Sequence, residues 1–226
     1  MTAQEIASAI RNNVGGGLRE VTNFAYSLPQ LEDEIMNTRN QILLEDRAQG
    51  GVLNTELFMQ RIDNIVLDLV RFPVGGYSNS PERVLHAKIP QLTADPSGAA
   101  LSYFGPPDMS LDFIKYYDSS FKNHRYSRVI KNRPYVYIDL ATDVNGKHDS
   151  YLFNIEGNNL QEISVRGVFL NPLSIMEEQG MFVDDVEFPA PLAVQEMIID
   201  RLTAKYVEYY RKMNMGYQPN TQTDTK

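Results

Sequence analysis

The last third of the chain constrains the fold most, because strand-forming and helix-forming patterns follow one another there with clear stops. Three segments are rich in the β-branched and aromatic residues that favour strands: residues 135–140, 151–155 and 160–169. Asn145-Gly146 is a pair typical of hairpin turns. Asn171-Pro172 ends the third segment, since proline cannot donate to a strand ladder. The pattern predicts a small antiparallel β-meander.

A long amphipathic helix is predicted after the meander, starting near Pro191 and ending near Gly216. Its apolar residues recur every three or four positions and therefore share one face: Val194, Ile198, Leu202, Tyr206, Tyr209 and Met213. Charged residues fall on the other side: Glu196, Asp200, Glu208 and Arg211. We expect the apolar face to pack against helices from the N-terminal part of the chain.

The N-terminal part is predicted to be helical. Thr2 and Glu5 form a capping-box pattern that opens a first helix, which the glycines at 15–17 end. A second short helix is predicted over residues 18–27, and a third runs from Pro29 to Gly50. A fourth is predicted over residues 55–69, because its apolar residues follow a 3.6-residue spacing: Phe58, Ile62, Ile65, Val66 and Leu69.

Between these parts lies a proline-rich stretch, in which we expect mostly loops. Short extended pieces are predicted at residues 84–89 and 100–104, and a brief helix capped by Ser110 at residues 110–117. The predicted fold class is α+β, with N-terminal helices and a long C-terminal helix packed with the small meander and long loops between them. The expected organisation is a helical region (1–76), a loop-rich region with short strands and a basic segment (77–134), the meander with an acidic loop (135–187), the C-terminal helix (188–215) and an extended polar tail (216–226).

Composition excludes several classes of function. The 226 residues contain no cysteine, so disulfide scaffolds, thiol nucleophiles and thiolate metal sites are ruled out. A formal net charge of −8 argues against a general nucleic-acid binder, which needs a basic surface. No apolar run reaches the roughly 20 residues that span a bilayer, and the first residues lack the pattern of a secretion signal. We therefore expect a soluble protein without membrane association.

Candidate catalytic residues are scattered. His86, His124 and His148 lie in separate segments without a metal-binding spacing, and we interpret them as surface or loop histidines. Asp143-Val144-Asn145-Gly146 matches part of a calcium loop, but Ala141 and Leu152 would occupy the first and twelfth ligand positions. A hairpin turn explains the same residues.

The acidic loop contains two groups of carboxylates: Glu177 and Glu178, and Asp184, Asp185 and Glu187. They could bind a divalent cation or act as an acid–base pair, but loop carboxylates are usually solvated, which we favour. Gly15-Gly16-Gly17 lacks the lysine and the preceding strand of a phosphate loop. No enzymatic activity, catalytic residue, metal site or cofactor is predicted; a hydrolase using the second acidic group is a remote alternative.

Residues 121–133 form a basic segment in this acidic protein. It contains five cations and no acid: Lys122, Arg125, Arg128, Lys131 and Arg133. It could contact nucleic acid through phosphates and stacking, contact the acidic region 177–187 of a neighbouring copy, or be a plain surface loop. Between the nucleic-acid contact and the protein contact, the negative net charge of the chain favours the protein contact. In the polar tail, Tyr217 and Pro219 are further candidate partner contacts.

Four motifs occur in a familiar order over about residues 85–212: Leu-Ser-Tyr-Phe-Gly at 101–105, Tyr-Val-Tyr-Ile at 135–138, Ile-Ser-Val-Arg-Gly-Val-Phe-Leu-Asn-Pro at 163–172, and Phe-Pro-Ala-Pro-Leu at 188–192 before the long helix. This order resembles the ring (portal-adaptor) proteins of crAss-like bacteriophages. It is also distantly similar to the tail-tubular adaptor proteins of short-tailed phages, in which a small sheet is inserted between helices. The family's usual Phe-Glu-Asp/Asn-Pro reads Phe169-Leu170-Asn171-Pro172 here, without the acid.

The resemblance implies a structural virion protein of the head–tail connector. Copies would form a homo-oligomeric ring, a dodecamer, that docks under the portal protein, receives other tail proteins below and surrounds the channel through which DNA leaves. Such a protein has no small-molecule substrate and is assembled in the host cytoplasm. The alternative function is a nucleic-acid-binding accessory protein that uses residues 121–133.

Overall fold

The computed structural model describes residues 1–15, 26–51, 55–71, 83–93, 101–117, 133–155, 160–181 and 186–216. In chain order its elements are α1 (Ala3–Val14), α2 (Leu28–Ala48), a 3₁₀ turn (Thr55–Phe58), β1 (Gln60–Val66), β2 (Asp68–Arg71), β3 (Arg83–Pro90), β4 (Leu101–Gly105), β5 (Ile114–Tyr117), β6 (Tyr135–Thr142), β7 (Lys147–Phe153), β8 (Glu162–Gly167), α3 (Pro172–Glu178) and α4 (Leu192–Gly216). The chain is of the α+β class.

Two compact units divide the chain. One combines Met1–Leu53 with Phe182–Lys226, and the other is the continuous stretch Asn54–Met181. The first, the helical unit, contains α1, α2 and α4; the second, the β unit, contains every strand described and α3. The β unit is therefore inserted in the sequence of the helical unit.

In the helical unit, α4 packs against both α1 and α2, as predicted for the long C-terminal helix. Its buried positions Val194, Ile198, Leu202 and Tyr206 belong to the predicted apolar face. Tyr209, which was assigned to the same face, is 37% exposed. The buried residues of the three helices are mostly aliphatic, and on each helix they recur with the helical period.

The capping box predicted at Thr2 and Glu5 is confirmed. Thr2 Oγ1 accepts from the Glu5 amide at 3.2 Å and the Glu5 carboxylate accepts from the Thr2 amide at 2.9 Å. The third predicted helix is α2, where Ser27 and Gln30 form a second capping box just before and within the first turn. The helix predicted over residues 18–27 lies mostly outside the described residues.

Two sheets build the β unit. One has the order β1-β8-β4, and the other β2-β3-β7-β6-β5. Strands from both contribute to one buried core, which includes Phe104, Ile163 and Val165 from the first sheet and Ile89, Val136 and Leu152 from the second. The predicted hairpin is confirmed as β6 and β7. The extended segments predicted at 84–89 and 100–104 are confirmed as β3 and β4.

The helix predicted over residues 55–69 is wrong. A 3₁₀ turn is followed by β1 and β2, separated by Leu67 alone. Ile62 pairs with Val165, and Leu69 with Leu85. The apolar spacing fits a helix, but Ile62, Ile65 and Val66 are β-branched and prefer strands. Pairing with distant strands decided the outcome.

The third strand of the predicted meander is also placed differently. β8 leaves β7 and becomes the central strand of the other sheet, between β1 and β4. There Ile163 and Val165 are completely buried in the core that both sheets share. Asn171-Pro172 follows the isolated bridge at Phe169 and opens α3, with the Asn171 side chain accepting from the Ser174 amide at 3.1 Å.

The prediction of a brief helix at residues 110–117 is also wrong. Ser110 to Phe113 are irregular, and β5 then runs parallel to β6. Asp112 holds the irregular stretch, because its carboxylate accepts from the Phe104 amide at 3.0 Å. The stretch crosses close to Gly105: a Cβ there would overlap the carbonyl oxygen of Leu111 and lie 2.7 Å from the hydroxyl of Tyr103.

Candidate interaction surfaces

Most of the residues predicted to contact a partner lie outside the described part of the chain: Lys122, Arg125, Arg128, Lys131, Tyr217 and Pro219. Arg133, the last cation of the basic segment, is described and exposed just before β6. Its carbonyl oxygen accepts from Asn154 Nδ2 at 3.3 Å. The structure thus fixes the end of the basic segment beside the last residues of the β6–β7 hairpin.

The two histidines that the structure describes, His86 and His148, lie on adjacent strands but do not converge. His86 pairs with Tyr151 and His148 with Ile89, so the two rings project from opposite faces of the sheet. His86 Nε2 lies 2.8 Å from Asp149 Oδ1. His148 is buried, which corrects its interpretation as a surface or loop residue, and burial lowers the pKa of its imidazole. His124 lies outside the described residues.

The calcium-like sequence is a hairpin turn, as predicted. Asp143 Oδ1 accepts from the amides of Asn145 at 2.8 Å and Lys147 at 3.0 Å, and Gly146 has a φ of 69°. The ammonium of Lys88 lies 2.5 Å from Asp143 Oδ2. This ion pair, with the backbone amides, lowers the pKa of Asp143 to about 2. The carboxylate that a cation would use is therefore already bound by the protein.

The acidic loop is only partly described. Glu178 forms a salt bridge of 2.9 Å with Lys147, Glu177 and Glu187 are exposed, and Asp184 and Asp185 lie outside the described residues. Within the described ranges, no group of three or more His, Asp or Glu side chains is placed to hold a metal ion. No helix described is long and apolar enough to cross a membrane.

A groove of ≈ 570 Å³ opens in the β unit between β1 and α3. Its three cations each meet a carboxylate: Arg61 meets Asp63 at 2.7 Å, Lys88 meets Asp143 and Lys147 meets Glu178. Gln179 Nε2 donates a hydrogen bond to the backbone carbonyl oxygen of Arg61 at 2.8 Å. These contacts neutralise the groove and cover part of the β1 edge.

Two arginines meet at an edge of the five-stranded sheet. β2 is the outermost strand, and Arg71 and Arg83 are direct cross-strand partners, next to the pair Leu69 and Leu85 on the same face. Both arginines are exposed, and Leu69 is 56% exposed. Neither arginine forms a salt bridge with any residue the structure describes. We call Leu69, Arg71, Arg83 and Leu85 the arginine edge.

A second charged surface lies on the outer side of α4. Glu196 and Asp200 follow Leu192 at intervals of four, so the three share one stripe of the helix. All are exposed, as is the adjacent Met197; Leu192 is 61% and Met197 40% exposed. Within the described residues, neither carboxylate forms a salt bridge. We call Leu192, Glu196, Met197 and Asp200 the acidic helix face.

Sequence reasoning placed the acids of this face correctly but missed the arginine edge. Arg71 followed a predicted helix and Arg83 fell in a predicted loop region, so nothing indicated that they are neighbours. The β-branched residues of 62–70 were the available signal, since they favour an edge strand that needs a partner. Pairing with β3 then brings the two arginines together.

Comparison with known proteins adds no relative. The sequence matches no protein-family model and no curated protein.

Proposed function

We propose that the protein is a non-enzymatic structural component of a phage virion, which forms a ring adapting the portal to the tail around the DNA exit channel. The observation that carries this proposal is the insertion of the β unit, Asn54–Met181, between two parts of one helical unit. The tail-tubular adaptor proteins of short-tailed phages, to which the chain is distantly similar, have the same arrangement, a small sheet inserted between helices.

Surface properties support an assembly role. Large apolar side chains are exposed next to charges that meet no counter-ion among the described residues, as at Leu69 and Arg71 or at Leu192 and Glu196. Contiguous exposed apolar groups beside unpaired charge are typical of surfaces that bind other proteins. Such a surface suits a subunit that meets neighbours on more than one side.

The test is assembly of the purified full chain, alone and with a portal protein from the same phage. We expect a closed homo-oligomer of defined mass by native mass spectrometry, a complex when the portal is present, and a ring in electron micrographs. A monomer that persists at every concentration and ignores the portal would refute the proposal.

The nucleic-acid alternative rests on residues 121–133, whose described end, Arg133, is exposed. Duplex DNA binding measured over a range of salt concentrations distinguishes the two functions. A steep loss of affinity with salt, removed by replacing Lys122, Arg125 and Arg128 with Gln, would favour the accessory role. No binding at low salt would exclude it.

A further inference from the structure

The arginine edge leaves two like charges side by side. Arg71 and Arg83 are cross-strand partners, and directly opposite residues on antiparallel strands have Cα atoms only about 4.5–5.5 Å apart. Like charges in this position destabilise a sheet. Because both side chains are exposed and meet no carboxylate among the described residues, a partner that supplies two carboxylates would relieve the repulsion.

On the acidic helix face, two negative charges lie close together in the same way. Glu196 and Asp200 stand one helical turn apart, about 6 Å along the axis, and like charges at this spacing destabilise a helix. This spacing along the helix is close to the Cα separation of about 4.5–5.5 Å expected for the directly opposite residues Arg71 and Arg83. Apolar groups flank both pairs: Leu69 beside the arginines, and Leu192 and Met197 beside the acids.

We propose that the acidic helix face of one copy docks on the arginine edge of a second copy, as one contact of the ring. Glu196 and Asp200 then pair with Arg71 and Arg83, whose planar guanidinium groups suit carboxylates. The inference rests on the proposed function and names the subunit contact within it. Two different surfaces meet, so the contact is head-to-tail, the kind that closes into a ring when the rotation per copy divides a full turn.

A second copy explains this surface better than DNA does. Phosphates would satisfy the arginines but would leave Leu69 exposed, whereas the helix face brings Leu192 and Met197 to cover it. The net charge of −8 also opposes a polyanion. Arginine and methionine are both enriched at protein interfaces, and the apolar side chains around the charge pairs would exclude water from them.

The experiment uses two charge-reversed full-length variants. One carries Arg71→Glu and Arg83→Glu, and the other Glu196→Arg and Asp200→Arg. Each alone places like charges across the contact, so its association constant should fall by roughly 30-fold or more. Mixed in equal amounts, the variants become complementary at every contact of an alternating ring, so assembly should return.

Matched controls reverse exposed charges elsewhere on the helical unit: Arg211→Glu and Asp33→Arg. We expect these to assemble as the wild type does. Native mass spectrometry with and without portal protein gives the mass of each species, and circular dichroism shows that every variant is folded. A DNA-binding measurement on the wild type and the first variant reports whether the arginines serve nucleic acid instead.

The outcomes separate the two proposals. Assembly of either variant alone like the wild type, or failure of the folded variants to assemble when mixed, overturns this contact and leaves the ring in place. DNA affinity that depends on Arg71 and Arg83, with assembly unchanged, also overturns it. A wild-type chain that stays monomeric with and without portal overturns the ring and this contact together.

Discussion

The Nε atom of Arg39 donates a hydrogen bond to the carbonyl oxygen of Pro189, 3.0 Å away, from a side chain with no exposed surface. Its Nη1 atom donates to Asn40 Oδ1 at 2.9 Å. Burial lowers the pKa of Arg39 to about 10, so the side chain remains charged at neutral pH. The bond joins α2 to the segment that leads into α4.

Arg39→Ala should destabilise the helical unit by about 3 kcal/mol, because it leaves the Pro189 carbonyl unpaired and opens a cavity. Arg211→Ala, at an exposed position of α4, should change the free energy of unfolding by no more than about 0.5 kcal/mol. Urea denaturation of both variants measures the difference. Equal stabilities would show that the buried guanidinium is not needed.

Gly105→Ala should destabilise the β unit by roughly 3 kcal/mol, since the new Cβ meets the Leu111 carbonyl and the Tyr103 hydroxyl. Gly146→Ala serves as the comparison, because a Cβ there would lie in ordinary contact with Gln91 Oε1 at 3.9 Å and only the φ of 69° opposes a side chain, at about 1 kcal/mol. Thermal unfolding ranks the two. A smaller loss at Gly105 than at Gly146 would contradict the close approach.

His148 should make stability depend on pH. Its native pKa lies below the ordinary value of 6.5 because the imidazole is buried, so near and below that pH the unfolded chain binds a proton that the native protein does not. The free energy of unfolding should therefore be highest above pH 6.5 and fall as the pH drops below it. Denaturation of wild type and His148→Leu between about pH 5 and 8 should show a weaker decline in the variant. Equal declines would exclude His148 as the source.

Removing residues 214–226, which include the polar tail, should leave the fold intact while abolishing incorporation into particles, if the tail docks on a neighbour or on the portal. Circular dichroism reports the fold, and complementation of a phage that lacks the gene reports incorporation. A chain in which the same residues are scrambled controls for length. Normal assembly of the truncated protein would refute tail docking.

Local signals predicted the elements of the helical unit, whereas in the β unit they predicted helices over residues 55–69 and 110–117 that do not form. The Thr2–Glu5 capping box, the start of α2 and the apolar face of α4 each depend on residues within a few positions of one another. Strand pairing was harder, because Ile62 meets Val165 about a hundred residues later, and no local pattern states which sheet a strand joins. The same limit applies to the surfaces: Glu196 and Asp200 are visible on a helical projection, whereas Arg71 and Arg83 become neighbours only when β2 pairs with β3.

The helical unit is divided in the sequence, so its two parts are synthesised before and after the β unit. Because α4 is made after all of Asn54–Met181, the β unit can fold while α1 and α2 still lack their packing partner. A ribosome-bound chain would then present the arginine edge before the acidic helix face exists. Two chains that both lack α4 could not form the proposed head-to-tail contact, and polymerisation would begin only with subunits in which α4 has already been made.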